Sequence, residues 1–154
     1  MSHFLIREST SNDLALIQSF ITELAIYEKM LDEVIVTEEL IHDQLFVKKL
    51  SSCVLAFEDD IPVGFAIYFY NFSTFLGKNG LYLEDLFVRP PFRGKGYGKK
   101  LLFHLFDIAK QQNCGRMEWS VLNWNTPAID FYKSIGAKAM DEWTVYRMKV
   151  NQED

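Results

Sequence analysis

Apolar residues recur along the chain with two different periods, and the switches between them mark the elements. Phe4 to Arg7 reads as a short strand. Leu14, Ile17, Ile21 and Leu24 then share one face at helical spacing, behind candidate caps at Ser11, Asn12 and Asp13, so a helix is predicted to about Lys29. Thr37 can cap a second, shorter helix through Phe46. Cys53 to Phe57 and Ile61 to Phe72 are predicted strands of an antiparallel hairpin turned at Asp59-Asp60. Ser73 to Gly80 is predicted as loop, and Leu81 to Val88 (L-Y-L-E-D-L-F-V) as a strand that Pro90 and Pro91 terminate.

The second half changes style. After a Gly-rich segment, Leu102, Leu105, Phe106 and Ala109 form the apolar stripe of a helix, and Met117 to Leu122 returns to strand. A further helix is predicted from Thr126 to about Ser134, with Asn125 as N-cap, Pro127 in the first turn and Gly136 as the stop. Trp143 to Val150 is predicted as a last strand. No repeat or linker interrupts the series. The pattern implies a mixed α/β (α+β) fold, antiparallel early and closed by a strand-helix-strand crossover.

Composition narrows the class. The 154 residues suit one domain, residues 1–154, and the 49% hydrophobic and 24% charged content is that of a globular chain. A formal charge of −5 argues against a general nucleic-acid binder, which draws on surplus Lys and Arg, and is compatible with a cationic ligand. Cys53 and Cys114 stand far apart, and His3, His42 and His104 lie in three separate segments, so neither a disulfide framework nor a metal site is expected. Met1 to Thr10 lacks a long apolar stretch, and no run approaches the roughly 18 apolar residues of a membrane span. A soluble, cytoplasmic protein with no membrane or nucleic-acid partner is therefore expected.

The most informative segment is R-G-K-G-Y-G: Arg93, Gly94, Lys95, Gly96, Tyr97 and Gly98, between a strand and a helix. Glycines let the backbone approach a ligand with its N–H groups outward, and the following helix start adds partial positive charge. The same glycines also suffice for a plain tight turn. As a phosphate cradle it is not a P-loop, because Arg93 stands at the first Gly position and Lys100 at the Ser/Thr position; it is not a Rossmann turn, because position 99 is Lys. Read as R-x-x-G-x-G, it resembles the pyrophosphate-binding motif of the GCN5-related N-acetyltransferases, the GNAT family, which implies acetyl-CoA as a ligand.

The resemblance extends over nearly the whole chain. E-L-A-I-Y-E-K (Glu23 to Lys29), L-Y-L-E-D-L-F-V, V-L-N-W-N (Val121 to Asn125) and A-I-D-F-Y-K-S-I-G-A (Ala128 to Ala137) look like the diamine (spermidine/spermine) and thialysine N-acetyltransferase branch. That likeness implies a GNAT-like fold, a central mixed, mostly antiparallel twisted sheet flanked by about four helices, assembled as a homodimer. Where the diamine enzymes carry Asp-Pro-Trp and the thialysine type Ser-Thr-Trp, this chain has Ser73-Thr74-Phe75, and Leu122 also follows the thialysine type. The implied substrate is a small amine such as thialysine or a lysine analogue, ahead of a long polyamine.

The chemistry asks for specific groups. An alkylammonium of pKa near 10.4 is free amine in only about one molecule in a thousand at pH 7, a deficit of roughly 4 to 5 kcal/mol, so a base is needed. Glu84 is the candidate, beside Asp85; strand alternation sends the two to opposite faces unless a bulge intervenes. By resemblance, the backbone of Leu86, Phe87 and Val88 contacts the acetyl group and pantetheine, and Tyr132 protonates the departing sulfur. A phenol of pKa about 10 and a thiol of about 8.5 differ by roughly 2 kcal/mol, so that transfer accompanies C–S cleavage.

The resemblance also brings Asn125, Thr126, Pro127 and Ala128 to CoA, although Asn125 has a cap to make in any case. Lys99 and Lys100 either pair with phosphate or begin a solvated helix. Tyr27 and Glu28 match substrate positions, within an acidic-aromatic group that includes Asp32 and Glu33; Glu118, Trp119 and Ser120 line the opposite strand, with Asp141 or Glu142 in addition. Phe75 in place of Trp keeps an aromatic face but loses an N–H donor. Two other readings stay open: acetylation of a protein Lys or N-terminus, and a non-catalytic acetyl-CoA-binding module.

Overall fold

Ladders of five strands organise the first part of the chain, in the order β1 (Phe4–Glu8), β2 (Ser52–Glu58), β3 (Ile61–Ser73), β4 (Lys78–Val88) and β5 (Arg116–Trp119). β1 to β4 are antiparallel in succession and β4 pairs with β5 in parallel. The computed structural model describes residues 2–151 and resolves into two compact units, Met1–Ser120 and Val121–Asp154. Three helices lie in the first unit: α1 (Leu14–Tyr27), α2 (Glu38–His42) and α3 (Tyr97–Gln111). The second unit holds α4 (Thr126–Ser134). This is the mixed sheet with about four helices that the sequence implies.

Alternation along the strands explains how the sheet is covered on both faces. Cys53 and Leu55 of β2, Phe65 of β3 and Phe87 of β4 join Ile17, Phe20 and Leu24 of α1 and Ile41 of α2 in one cluster. Phe20 and Phe65 are both wholly buried, with their rings stacked at 5.1 Å. Val54, Ala56 and Ala66, each next to one of those positions, are buried on the other face. There α3 closes in so tightly that a Cβ on Gly64 would stand 2.6 Å from the Phe87 carbonyl and 3.3 Å from Leu101. Glycine at 64 is thus required by close approach.

The element ends have local causes. Thr10, one residue before the expected caps, begins the first helical region: its N–H donates to Asp13 Oδ2 at 2.7 Å and its hydroxyl accepts from Asn12, so a 3-10 turn (Ser11–Asp13) precedes α1. Arg7 grips both Asp13 oxygens at 2.9 and 3.0 Å and holds that carboxyl below the usual carboxylate range. α1 stops at Tyr27, where Lys29 turns left-handed at φ 61°. Thr37 caps α2 through Leu40 N–H, and the helix continues as a π-helical turn (Asp43–Val47). Asp59 and Asp60, at φ 48° and 67°, make the two-residue hairpin turn.

Three expected boundaries change. β4 begins at Lys78, because the hairpin with β3 stays paired out to Ser73 opposite Lys78 and leaves only a short turn. β5 stops at Trp119, three residues before Leu122, where its ladder with β4 ends. Trp143 to Val150 is not a strand: a strand needs a ladder, and among the described residues this segment is paired in none. No helix among the described residues is long and apolar enough to cross a membrane.

Candidate active site

An irregularity in β4 decides how its two acids are presented. Ile67 faces Asp85 and Tyr68 faces Leu83, so Glu84 is an extra residue, a bulge in the ladder with β3. The bulge interrupts the pleat between Glu84 and Asp85 and relieves the requirement that neighbours face opposite ways. It also falls where β5 leaves: the parallel ladder ends at Leu83 opposite Trp119, while β4 runs on to Val88 paired to β3 alone among the described residues. Among the described residues, one edge of β4 carries no strand from Glu84 to Val88. Its backbone N–H and C=O groups form an extended strip for a ligand.

The end of α1 is fixed against this strip. Tyr27 lies 6.4 Å from Phe87, and the Arg93 guanidinium sits over both rings, 4.8 and 5.3 Å from their centroids, while its Nε donates to the Val88 carbonyl at 2.8 Å. Around them is a recess of about 270 Å³ lined by Glu23, Ile26, Tyr27, Phe87, Pro90 and Arg93. Glu28, in the C-cap position of α1, comes within electrostatic reach of the bulge. Burial and then Glu84 raise its pKa. Asp85 is pushed up to about 7, by burial first and then by the charges of Glu84 and Glu28. Glu28 and Asp85 are half-buried and Glu84 is exposed beside them, and carboxyls that repel one another in this way favour a cation.

Arg89 secures the frame beneath. It donates to Glu23 at 2.8 and 3.0 Å and to the Pro62 carbonyl at 3.0 Å, and lies 4.5 Å from the Phe20 ring centroid. Nothing in the sequence pattern singles out Arg89, since its partners are 66 and 27 residues away.

The Gly-rich loop follows a 3-10 turn (Pro90–Phe92) and leads into α3. Gly94 and Gly96 take φ of 82° and 81°, and a Cβ at either would meet nothing within 4 Å. The space in front of the backbone is open, as a phosphate cradle requires. The cationic side chains of its neighbours turn elsewhere: Arg93 to Tyr27, Lys95 to Glu58 at 2.9 Å, Lys99 over Phe103, and Lys100 over Phe4 and Tyr97. The loop therefore offers backbone N–H groups and the start of α3. A Gly96→Ala substitution puts Cβ into that space and strains the turn by about 1 to 2 kcal/mol. Its expected effect is a several-fold weaker Kd for CoA by calorimetry, with the far-ultraviolet spectrum unchanged.

The other expected site residues distribute as follows. Trp119 is opposite Leu83; Ser120 Oγ lies 2.8 Å from the Tyr82 hydroxyl; Glu118 faces Arg116 at 3.4 Å. Asp32 and Glu33 are exposed in a 3-10 turn after α1. Ser73, Thr74 and Phe75 form the β3–β4 turn, where Ser73 Oγ accepts from Leu76 N–H and Phe75 is fully exposed. That turn is not brought to the acids: six residues of extended chain, about 20 Å, separate Lys78 from Glu84.

In the second unit, Asn125 Oδ1 accepts from Ala128 N–H at 3.4 Å and caps α4, so Asn125 has the structural task its sequence position suggests. Thr126, Pro127 and Ala128 are its first turn. Tyr132 is on the same helix, its ring 5.7 Å from Phe131 and its carbonyl accepting from Ala137 N–H. Gly136, at φ 87°, ends the helix; Asp141 and Glu142 follow in exposed turns.

Comparison with known proteins gives the family. Residues 18–137 match the acetyltransferase (GNAT) family. The chain is 43% identical over 90 residues to L-ornithine N5-acetyltransferase NATA1 of Arabidopsis thaliana, covering 58% of this chain and 40% of that protein. It is 37% identical over 90 residues to thialysine N-epsilon-acetyltransferase of Bos taurus, covering 56% and 52%. The match thus spans about half the length of these relatives or less. Among solved structures, an integron cassette protein from the mobile metagenome of V. cholerae superposes with a TM-score of 0.79 at 33% identity, over 96% of this chain and 93% of that one.

Proposed function

This chain belongs to the acetyltransferase (GNAT) family, whose members use acetyl-CoA as donor, and from that premise we propose that it acetylates a primary amine of a small cationic molecule, a thialysine or lysine analogue or a diamine or polyamine. The observation that carries the substrate class is the carboxyl group of three, Glu28, Glu84 and Asp85, at the bulge where β5 leaves β4. An ammonium relieves the mutual repulsion of these acids, whereas a neutral or anionic acceptor leaves them unpaired. The relatives that act on ornithine and thialysine, both amino acids with a side-chain amine, support the same class.

In the mechanism we propose, the Gly94–Gly98 backbone and the start of α3 take the pyrophosphate, and the free edge from Leu86 to Val88 takes the extended arm and the thioester oxygen. The acid cluster binds the ammonium and Glu84 accepts one of its protons. The freed nitrogen lone pair attacks the thioester carbon. The resulting oxyanion is held by backbone N–H, then collapses with cleavage of the C–S bond. Tyr132 gives its phenolic proton to the sulfur, the second proton on the new amide nitrogen passes to solvent, and exchange with solvent returns Glu84 to carboxylate and Tyr132 to phenol. Transfer is direct, without an acyl-enzyme: Cys53 and Cys114 both lie outside the motifs, and Cys53 is buried inside the sheet, its thiol pushed up to about 12 by burial. Asn125, Thr126, Pro127 and Ala128 contribute to CoA binding and the functional assembly is a homodimer, readings supported by the family resemblance, while two separated cysteines support a cytoplasmic setting.

Release of free CoA from acetyl-CoA, followed across thialysine, lysine, ornithine, putrescine, spermidine, spermine and a Lys-containing peptide, tests this reading. The expected result is turnover with the small amino-acid amines exceeding that with spermine. Turnover confined to the peptide would move the substrate class to protein Lys, and tight acetyl-CoA binding without any turnover would make the chain a binding module.

A further inference from the structure

A fourth carboxylate, remote in sequence from the acid cluster, holds the Gly-rich loop from β2. Glu58 ends that strand and is largely buried. Its Oε1 accepts from Lys95 Nζ at 2.9 Å and from the Tyr97 hydroxyl. These donors pull the Glu58 carboxyl below its usual range, the Tyr97 hydrogen bond foremost and that of Lys95 next. Lys95 and Tyr97 stand on either side of Gly96, the residue at φ 81° that opens α3. One acceptor therefore clamps both flanks of the turn. Tyr97 extends the clamp to β1, its ring stacked on Phe4 at 4.2 Å and 13°.

We propose that Glu58 is a positioning residue for pyrophosphate recognition: it ties Lys95 and Tyr97 to the end of β2 and so keeps the backbone N–H groups of the Gly94–Gly98 loop arranged for their ligand. The inference rests on the acetyl-CoA reading. A loop with three glycines in six residues samples many conformations when unrestrained, and binding must then order it at a cost in chain entropy. Side-chain clamps on both flanks of Gly96 impose that order beforehand. Lys95 and Tyr97, candidate cofactor contacts in the sequence, act here through Glu58.

Calorimetric titration with CoA, and kcat/KM with acetyl-CoA and with S-acetylpantetheine, which lacks the pyrophosphate, test the proposal in wild type, Glu58→Gln and Tyr97→Phe. By charge alone, Glu58→Gln removes a negative group near a polyanion site and would tighten binding. The expected result is the reverse: the Kd for CoA rises about five- to tenfold, and the preference for acetyl-CoA over S-acetylpantetheine falls by a similar factor. Tyr97→Phe, which leaves the charge unaltered, weakens CoA about threefold and keeps the test available if Glu58→Gln does not fold. CoA binding equal to or tighter than wild type in either folded variant overturns the proposal, as does an equal loss with both donors. Failure of wild type itself to bind CoA overturns the acetyl-CoA reading as well.

Discussion

Replacement of Tyr132 by Phe is expected to lower kcat for acetyl transfer by about 10²-fold or more while changing the KM for acetyl-CoA by less than about twofold. In the proposed mechanism the phenolic proton is needed only as the C–S bond breaks, so its loss is felt in the transition state and not in donor binding. The ring itself remains, with its contact to Phe131, and the backbone carbonyl that accepts from Ala137 is untouched, so α4 should keep its fold. Steady-state kinetics of the two proteins give the comparison. A thioester donor whose thiolate leaves without protonation, such as an aryl thioacetate, should narrow the gap between them. A variant as fast as wild type would remove Tyr132 from the reaction, and an equal deficit with both donors would assign it a role in holding α4.

Much of the site is legible in the sequence where local chemistry forces a local structure. The turn at Gly94–Gly98 follows from glycines that alone take φ near 80° without strain, and the cap at Asn125 from an Asn placed before a Thr-Pro start. The hairpin at Asp59-Asp60 follows likewise from two residues that tolerate positive φ between apolar alternations. The bulge at Glu84 is not legible. It adds one residue to a ladder without altering composition, and only the register against β3 reveals it. The early end of β5 is similarly hidden, because Ser120 to Leu122 has nothing that excludes a strand and loses its ladder only because β4 and β5 separate.

Direction is harder to read than position. The R-x-x-G-x-G motif locates Arg93 and Lys95 at the loop but does not say where their long side chains go, and both bind protein groups: Arg93 the Val88 carbonyl and the Tyr27 ring, Lys95 the Glu58 carboxylate. Glu58 lies 37 and 39 residues from its two partners, so no periodicity or motif could expose the clamp. The same reasoning applies to the acids. Sequence identifies Glu84 and Asp85 as a costly pair in an apolar strand, yet the coupling to Glu28 exists only because α1 ends beside β4.

That coupling yields the second large effect, in Asp85→Asn. The Asp85 carboxyl, pushed up to about 7 by burial and by Glu84 and Glu28, titrates far above its ordinary value in the unfolded chain. With the folded value raised, the folded state retains a proton that the unfolded state releases. Stability from this group is whole at pH 4 and is lost as the pH rises toward and through 7. Asp85→Asn removes the penalty, so the variant should match wild type near pH 4 and be the more stable by on the order of 2 to 4 kcal/mol at pH 8. Thermal unfolding of both proteins across that range reads the difference.

Catalysis should move the other way. In the proposed mechanism the ionised cluster captures the ammonium, so kcat/KM in wild type is expected to rise through about pH 7, level off, and fall again near the amine's own pKa of about 10. In Asp85→Asn the rise at 7 disappears and the KM for the amine increases about tenfold or more. A wild-type rate that climbs tenfold per pH unit straight through 7 to 9 would mean that the protein takes only free amine from solution and that these acids move no proton. A protein stabilised and an active site disabled by the same change is the combined signature expected of an acid kept in a costly place to hold a cation.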